Sequence, residues 1–170
     1  MNGHPGGAAH TRRMLAPAGL PEGARVLDMG AGGGEAVRLM RDAGLNAQGI
    51  DLAPCGEGVE PGDFLHTPYP DGSFDAVLSQ CAFFISGDVP GALREAQRIL
   101  KPGGKLLLSD VFFESPVPVI EAAGFEILQF EDITAAWREY YLEALWRGDV
   151  PCCEIPRGKC KYWLIIGRKT

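Results

Sequence analysis

The sequence predicts an α/β fold of three layers, a mostly parallel sheet covered on both faces by helices. Short apolar runs at 24–29, 47–51, 74–79, 105–109, 125–130 and 162–167 alternate with segments whose apolar residues recur at helical spacing. The 23 glycines and 13 prolines among 170 residues supply many short connections, which suits such alternation. The last two runs are joined through residues 131–161, a connection that permits an antiparallel hairpin at the sheet edge.

Taken in order, residues 2–9 form a Gly-rich, polar entry. Thr11 is placed to cap a short helix over 12–16 that Pro17 and Gly19 close, so residues 1–20 read as a lid-like segment ahead of a domain spanning 21–170. The first strand, 24–29, meets the glycine cluster Gly30 to Gly34. A helix over 35–43 follows, with Ala36, Val37, Leu39, Met40 and Ala43 inward and Gly44 at its C-cap. Residues 47–51 form the second strand. Asp71 and Gly72 turn the chain into the strand at 74–79. Asp88 caps a helix over 90–100 whose apolar face is Ala92, Leu93, Ala96, Ile99 and Leu100, and the run Lys101 to Gly104 stops it. A strand at 105–109, a short helix at 118–123 ending at Gly124 and a strand at 125–130 come next. A helix over 134–146 presents Ile133, Trp137, Tyr140, Tyr141, Ala144 and Leu145 on one side, before the final strand at 162–167.

Composition narrows the function. The net charge is −6 and no block of like charges occurs, whereas a nucleic-acid partner calls for a basic face. No apolar stretch is long enough to cross a membrane, and residues 1–10 lack a secretory pattern. Five cysteines, scattered except for Cys152-Cys153, fit a reducing cytoplasm better than a disulfide scaffold. Cys152, Cys153 and Cys160 lack the usual spacing of metal ligands. They read as free thiols, with a thiol cluster for a soft metal or metalloid as the sharper alternative, and no metal site is expected.

The chemistry concentrates where the first strand turns into the first large helix. Asp28-Met29-Gly30-Ala31-Gly32-Gly33-Gly34 lets a ligand approach the backbone closely, and Asp51, at the end of the second strand, offers a carboxylate to two ribose hydroxyls. A dinucleotide site wants Gly-x-Gly-x-x-Gly with pyrophosphate at the helix start. Here Glu35 takes the third glycine position and would repel pyrophosphate, and Asp28 has no use for a phosphate. Both welcome a cationic, phosphate-free nucleoside, which disfavours a nicotinamide-dependent oxidoreductase.

Asp28-x-Gly30-x-Gly32-x-Gly34 resembles the first motif of the class I S-adenosylmethionine-dependent methyltransferases. Further likeness lies in Asp51, in Gly62-Asp63 with Pro70 to Val77, in Arg98 to Leu106 and in Ala123-Gly124-Phe125, an ordered set over about residues 20–130. The quinone-biosynthesis-like small-molecule methyltransferases are the subgroup it is most similar to. The resemblance implies a Rossmann-like three-layer sandwich with a seven-stranded sheet, mostly parallel with an antiparallel edge strand. It also implies S-adenosylmethionine as cofactor, S-adenosylhomocysteine as product and a small-molecule methyl acceptor.

By the same resemblance, Asp28, Gly30, Ala31, Gly32 and Gly34 line the amino-acid part of the cofactor. Asp51 holds the ribose, Leu52 and Phe64 lie against the adenine, and Asp63 meets its edge. Ser79, Gln80 and Cys81 border the methionine part. Methyl transfer needs a base only when the acceptor is protonated. By residue type the candidates are His10, His66 and Cys81, with Tyr140 and Tyr141 behind them. Asp110 sits near the cleft, and Asp75 reads as structural.

One departure stands out. Only eleven Gly- and Pro-rich residues separate Asp51 from Asp63, too few for the helix that usually follows the second strand. The adenine side is therefore expected to be open, with room for a second copy or a protein partner, and a non-catalytic S-adenosylmethionine-binding subunit or regulatory module is the alternative function.

Overall fold

The computed structural model describes residues 5–148 and 159–170. Helix α1 (Gly7–Ala18) leads to β1 (Arg25–Met29), α2 (Glu35–Asp42), β2 (Asn46–Asp51) and β3 (Val59–Pro61). Strand β4 (Phe74–Gln80), α3 (Phe83–Ser86), α4 (Val89–Ile99) and β5 (Leu100–Phe112) follow. The chain ends with α5 (Val117–Ala122), β6 (Phe125–Asp132), α6 (Thr134–Trp146) and β7 (Lys161–Lys169).

The seven strands form one sheet in the order β3-β2-β1-β4-β5-β7-β6. All neighbours from β3 to β5 are parallel, and β7 runs antiparallel to both β5 and β6. The expected antiparallel hairpin does lie at the edge. Within it β6 is outermost, and β7, the antiparallel strand, sits one position in.

Successive strand residues feed opposite faces, as the pleat requires. Val26, Ala76, Leu78, Leu107 and Leu164 join Met14, Val37, Met40, Trp137 and Tyr141 in a core beneath α1, α2 and α6. Leu27, Val77, Leu106, Leu108 and Ile165 join Phe83, Leu93, Ala96 and Ile120 beneath α3, α4 and α5. Each large apolar side chain so buried contributes about 1.5–3 kcal/mol, which is why this pattern, more than any local propensity, sets the three layers.

Several elements differ from the sequence reading. Helix α1 begins at Gly7 on a left-handed Gly6, so Thr11 lies inside it rather than at its start, and Pro17 is within its last turn. Thr11 is fully buried, and its Oγ1 donates to Gln80 Oε1 at 3.2 Å, a tertiary bond that no local pattern announces. Strand β5 begins at Leu100, because Leu100 pairs with Phe74 before a register shift absorbs Lys101 to Gly104 as an irregularity in the ladder. The stripe on α6 is narrower than its sequence suggests: Trp137, Tyr141 and Ala144 are buried, while Leu145 is exposed. Between β2 and β3 there is no helix, as expected, and seven residues make a parallel crossover that ordinarily takes a dozen or more.

Candidate functional site

The strand order reverses between β1 and β4, so the loops leaving them diverge and leave a crevice at the carboxyl ends of the strands. A cavity of about 400 Å³ lies there, a size suited to a small organic ligand. It is lined by Asp28 and the glycine loop from β1, Asp51 and Leu52 from β2, Asp63 to Leu65 ahead of β4, and Gln80 to Ala82 beyond β4.

The glycine loop is shaped by close approach. Gly30 has φ +85°, and a Cβ there would stand 2.2 Å from that of Ala82. Gly34, the N-cap of α2, has φ +72°, and its Cβ would meet the Glu57 carbonyl at 2.9 Å. Residues 52–58, which replace the usual helix, therefore lie directly on this loop. Cys55 N–H donates to the Gly32 carbonyl at 3.2 Å, and Gly49 N–H donates to the Gly58 carbonyl at 2.8 Å. The expected opening on the adenine side is thus partly filled by this backbone clasp, although Leu52 itself stands 76% exposed.

Two carboxylates converge on the cavity. Asp51 accepts Gly32 N–H on Oδ2 and Ala53 N–H on Oδ1, both at 2.9 Å, which fixes its plane. Asp28 is 4% exposed, and no hydrogen bond from a described residue reaches its carboxylate. Burial, and then the charge of Asp51, push its pKa up to about 7. Glu35 and Asp63 add two more acidic side chains to the lining, and no described lining residue is basic. Glu35 at the first position of α2 makes this helix start hostile to phosphate. The site favours a cation.

At the end of β4 the three predicted residues separate. Ser79 is fully buried and donates to the Met29 carbonyl at 2.8 Å, tying β4 to β1 behind the cavity rather than lining it. Gln80 lines the cavity and is held by Thr11 and by its own bond to Met14 Sδ. Cys81 also lines it, at φ +57°, with Sγ 3.0 Å from Tyr162 Oη. Tyr162 is fully buried, stacks on Trp137 and donates to the Ser109 carbonyl. Burial, with the nearby Cys81 and Asp110, raises its phenol well above the ordinary value, so it stays neutral and, with its one proton on the Ser109 carbonyl, its oxygen accepts from the Cys81 thiol.

Phe64 is 8% exposed and packs against Phe83 at 5.7 Å between ring centres. Asp63 makes a tight turn, its Oδ1 accepting Leu65 N–H at 2.8 Å. This segment is anchored from α4 by Arg98, which donates to the carbonyls of Thr67 and Tyr69 and pairs with Glu95 and Asp71. Glu95 in turn accepts Thr67 N–H and Oγ1–H.

Of the predicted site residues, Asp28, Gly30, Ala31, Gly32, Asp51, Leu52, Asp63, Phe64, Gln80 and Cys81 come together on the cavity. Gly34 and Ser79 support it from behind. His66 is on the surface, 83% exposed beside Asp63, and His10 is buried against Tyr162; neither lines the cavity. Asp110, 1% exposed, is likewise off it, accepting Phe84 N–H at 3.0 Å and so holding α3 in place. Cys152 and Cys153 lie outside the described residues, and Cys160 is buried. Glu35, which the sequence marks as a bar to pyrophosphate, lines the cavity, as do Ile85 and Ser86, which the sequence did not single out. Helix α3, which carries the last two, has only four residues, and its one local signal is the Phe-Phe-Ile run closed by Ser86, Gly87 and Asp88.

Residues 27–108 match the family model described as a methyltransferase domain. The sterol 24-C-methyltransferase ERG6B of Gibberella zeae is 28% identical, over 75% of this chain and 46% of its own length. The demethylmenaquinone methyltransferase of Tropheryma whipplei is 34% identical, over 60% of this chain and 48% of its own. The chain thus spans about half the length of these relatives. Among solved structures, phosphoethanolamine N-methyltransferase 2 of Haemonchus contortus superimposes with a TM-score of 0.80 at 19% identity, covering 98% of this chain and 53% of that one.

Proposed function

We propose that this chain, which carries a class I S-adenosylmethionine-dependent methyltransferase domain, binds S-adenosylmethionine in the cavity beyond β1, β2 and β4 and transfers its methyl group to a small-molecule acceptor. The observation that carries the reading is the acid-only lining built around a buried Asp28, because a sulfonium and an ammonium supply the positive charge that this lining lacks.

The residues present fit that cofactor. Asp51 keeps lone pairs free for two ribose hydroxyls while the glycine loop holds its carboxylate in plane. Phe64 offers a face for the adenine, and Asp63 an acceptor for its amino group. Gln80, Cys81 and Asp28 border the methionine end. When bound, S-adenosylmethionine supplies an electrophilic methyl carbon with a neutral thioether as leaving group. The protein then has to align the acceptor's lone pair with the methyl–sulfur bond and keep water away, which is a matter of positioning. Neither His10 nor His66 lies on the cavity, so of the three candidate bases only Cys81 is placed to take a proton from an acceptor that has one.

A reducing cytoplasm is the proposed place of action, in keeping with five cysteines scattered along the sequence rather than arranged as a disulfide scaffold. No helix among the described residues is long and apolar enough to cross a membrane. The surface around exposed Leu52 is where a second copy or a protein partner would sit.

Incubation with methyl-labelled S-adenosylmethionine and a broad panel of small phenols, amines, thiols and quinols tests the proposal. Label appearing in one acceptor class, with S-adenosylhomocysteine formed in equal amount, is the expected result. Tight nucleoside binding without transfer to any of them would favour a binding subunit or regulatory module instead.

A further inference from the structure

We infer that the methyl acceptor carries no negative charge and has an apolar body, and that it enters across α3, over Ile85 and the Phe84–Phe113 pair. This rests on the reading that the cavity holds a methyl donor, and it names the class of the second substrate.

Charge comes first. The described lining presents Asp28, Glu35, Asp51 and Asp63 and no Lys, Arg or His. One bound cationic donor does not neutralise four acids. An acceptor bearing a carboxylate or phosphate would face the remainder at short range, and each like charge in near contact lowers affinity on the order of tenfold or more.

The rim is apolar where it meets this cavity. Ile85 lines the cavity yet stands 60% exposed, and Phe113 is 50% exposed. The Phe84 ring lies 5.9 Å from Phe113 and is half-buried. Single exposed apolar residues are ordinary, but here Ile85 lies on the lining and Phe84, next to it in α3, contacts Phe113, so apolar side chains lead outward from the cavity as a ledge along α3. The ledge is held still: Phe84 N–H is fixed by Asp110, and Ser86 Oγ donates to the Phe83 carbonyl at 2.6 Å. An apolar molecule lying there covers side chains that otherwise face water and directs its polar end at the methyl group. A second groove, between α1, α2 and α6, shares Glu35 and Ala36 with the cavity and carries Arg12 and Arg38. It is the entrance an anionic acceptor would require.

Two probes with one aromatic frame separate these routes: N-phenylnaphthylamine, which is neutral, and anilinonaphthalenesulfonate, which adds only a sulfonate. Each is titrated by fluorescence into protein saturated with S-adenosylhomocysteine, whose binding is measured separately by calorimetry. The neutral probe should bind saturably, and Ile85→Ser and Phe113→Ser should each weaken it roughly fivefold, the effect of removing a comparable apolar contact. The sulfonated probe should bind at least about tenfold more weakly. Phe113→Ser should leave S-adenosylhomocysteine affinity unchanged. Equal binding of both probes, insensitivity to the α3 and Phe113 changes, or sulfonate binding that Arg38→Glu abolishes would overturn the inference. Failure of S-adenosylhomocysteine to bind would instead overturn the methyl-donor reading beneath it.

Discussion

Replacing Asp28 by Asn should make the ligand-free protein more stable and a poorer binder, with both effects governed by pH. The folded protein holds the Asp28 proton to about 7, against an ordinary 3.8, so between those values the folded state binds more protons than the unfolded one. The stability this carboxyl contributes is complete below pH 3.8, declines as pH rises through the window and is lost above about 7. A rise of about three units at ~1.4 kcal/mol each sets a ceiling near 4 kcal/mol. The Asn amide, also buried among few partners, returns ~1–2 kcal/mol of that. A net gain of roughly 2–3 kcal/mol at pH 8 corresponds to a melting temperature higher by about 5–10 °C in a chain of this size.

The assay is thermal unfolding of both proteins from pH 5 to 8.5. The melting curves should approach one another toward pH 5 and diverge as pH rises. The same carboxylate must be ionised to meet a cation, so S-adenosylmethionine affinity of the unaltered protein should fall below pH 7, by up to about tenfold per pH unit, while Asp28→Asn shows weak, pH-independent binding. A melting difference that does not vary with pH, or an affinity flat through pH 7, would refute the reasoning.

Gly56→Ala places a Cβ 2.0 Å from the Gly33 carbonyl oxygen, so it should lift residues 52–58 off the glycine loop. Nucleoside affinity, read by calorimetry, should drop by roughly tenfold or more while the melting temperature changes little, because the clasp buries little apolar surface. Arg98→Met removes the bonds to Thr67, Tyr69, Asp71 and Glu95, and after allowance for partial exposure should cost about 2–3 kcal/mol, seen as a lower midpoint in urea. His66→Ala, on an exposed side chain off the cavity, should leave the rate of methyl transfer within about twofold at saturating substrates.

Where sequence spacing and physical cause coincide, the sequence alone was informative. The burial of Val26 with Leu27 and of Ala76 with Val77 and Leu78 followed from apolar runs, and the glycine loop and Asp51 from a strand-end pattern with one steric explanation. The absent helix after β2 was a matter of counting residues. Tertiary contacts decided the rest. Thr11 has the composition of a helix cap, yet a buried bond to Gln80 holds it inside α1. Ser79 looked like a cavity residue by position, but the pleat turns it toward the Met29 carbonyl. Helix α3 is too short to show a period, so Ile85 could not be placed at the mouth from sequence alone. The clasp of residues 52–58 on the glycine loop depends on two backbones meeting at Gly56 and Gly33, which no side-chain pattern records.

The central claim is that Asp51 and the glycine loop grip the sugar of a cationic, phosphate-free nucleoside. Calorimetric titration of the chain and of Asp51→Ala with S-adenosylmethionine, with circular dichroism to verify that both are folded, tests it most directly. One saturable site per chain and an affinity at least about tenfold lower in the variant are expected, as for the loss of hydrogen bonds to a charged acceptor. A folded chain that takes up no S-adenosylmethionine, or an Asp51→Ala variant that binds it equally well, would contradict it.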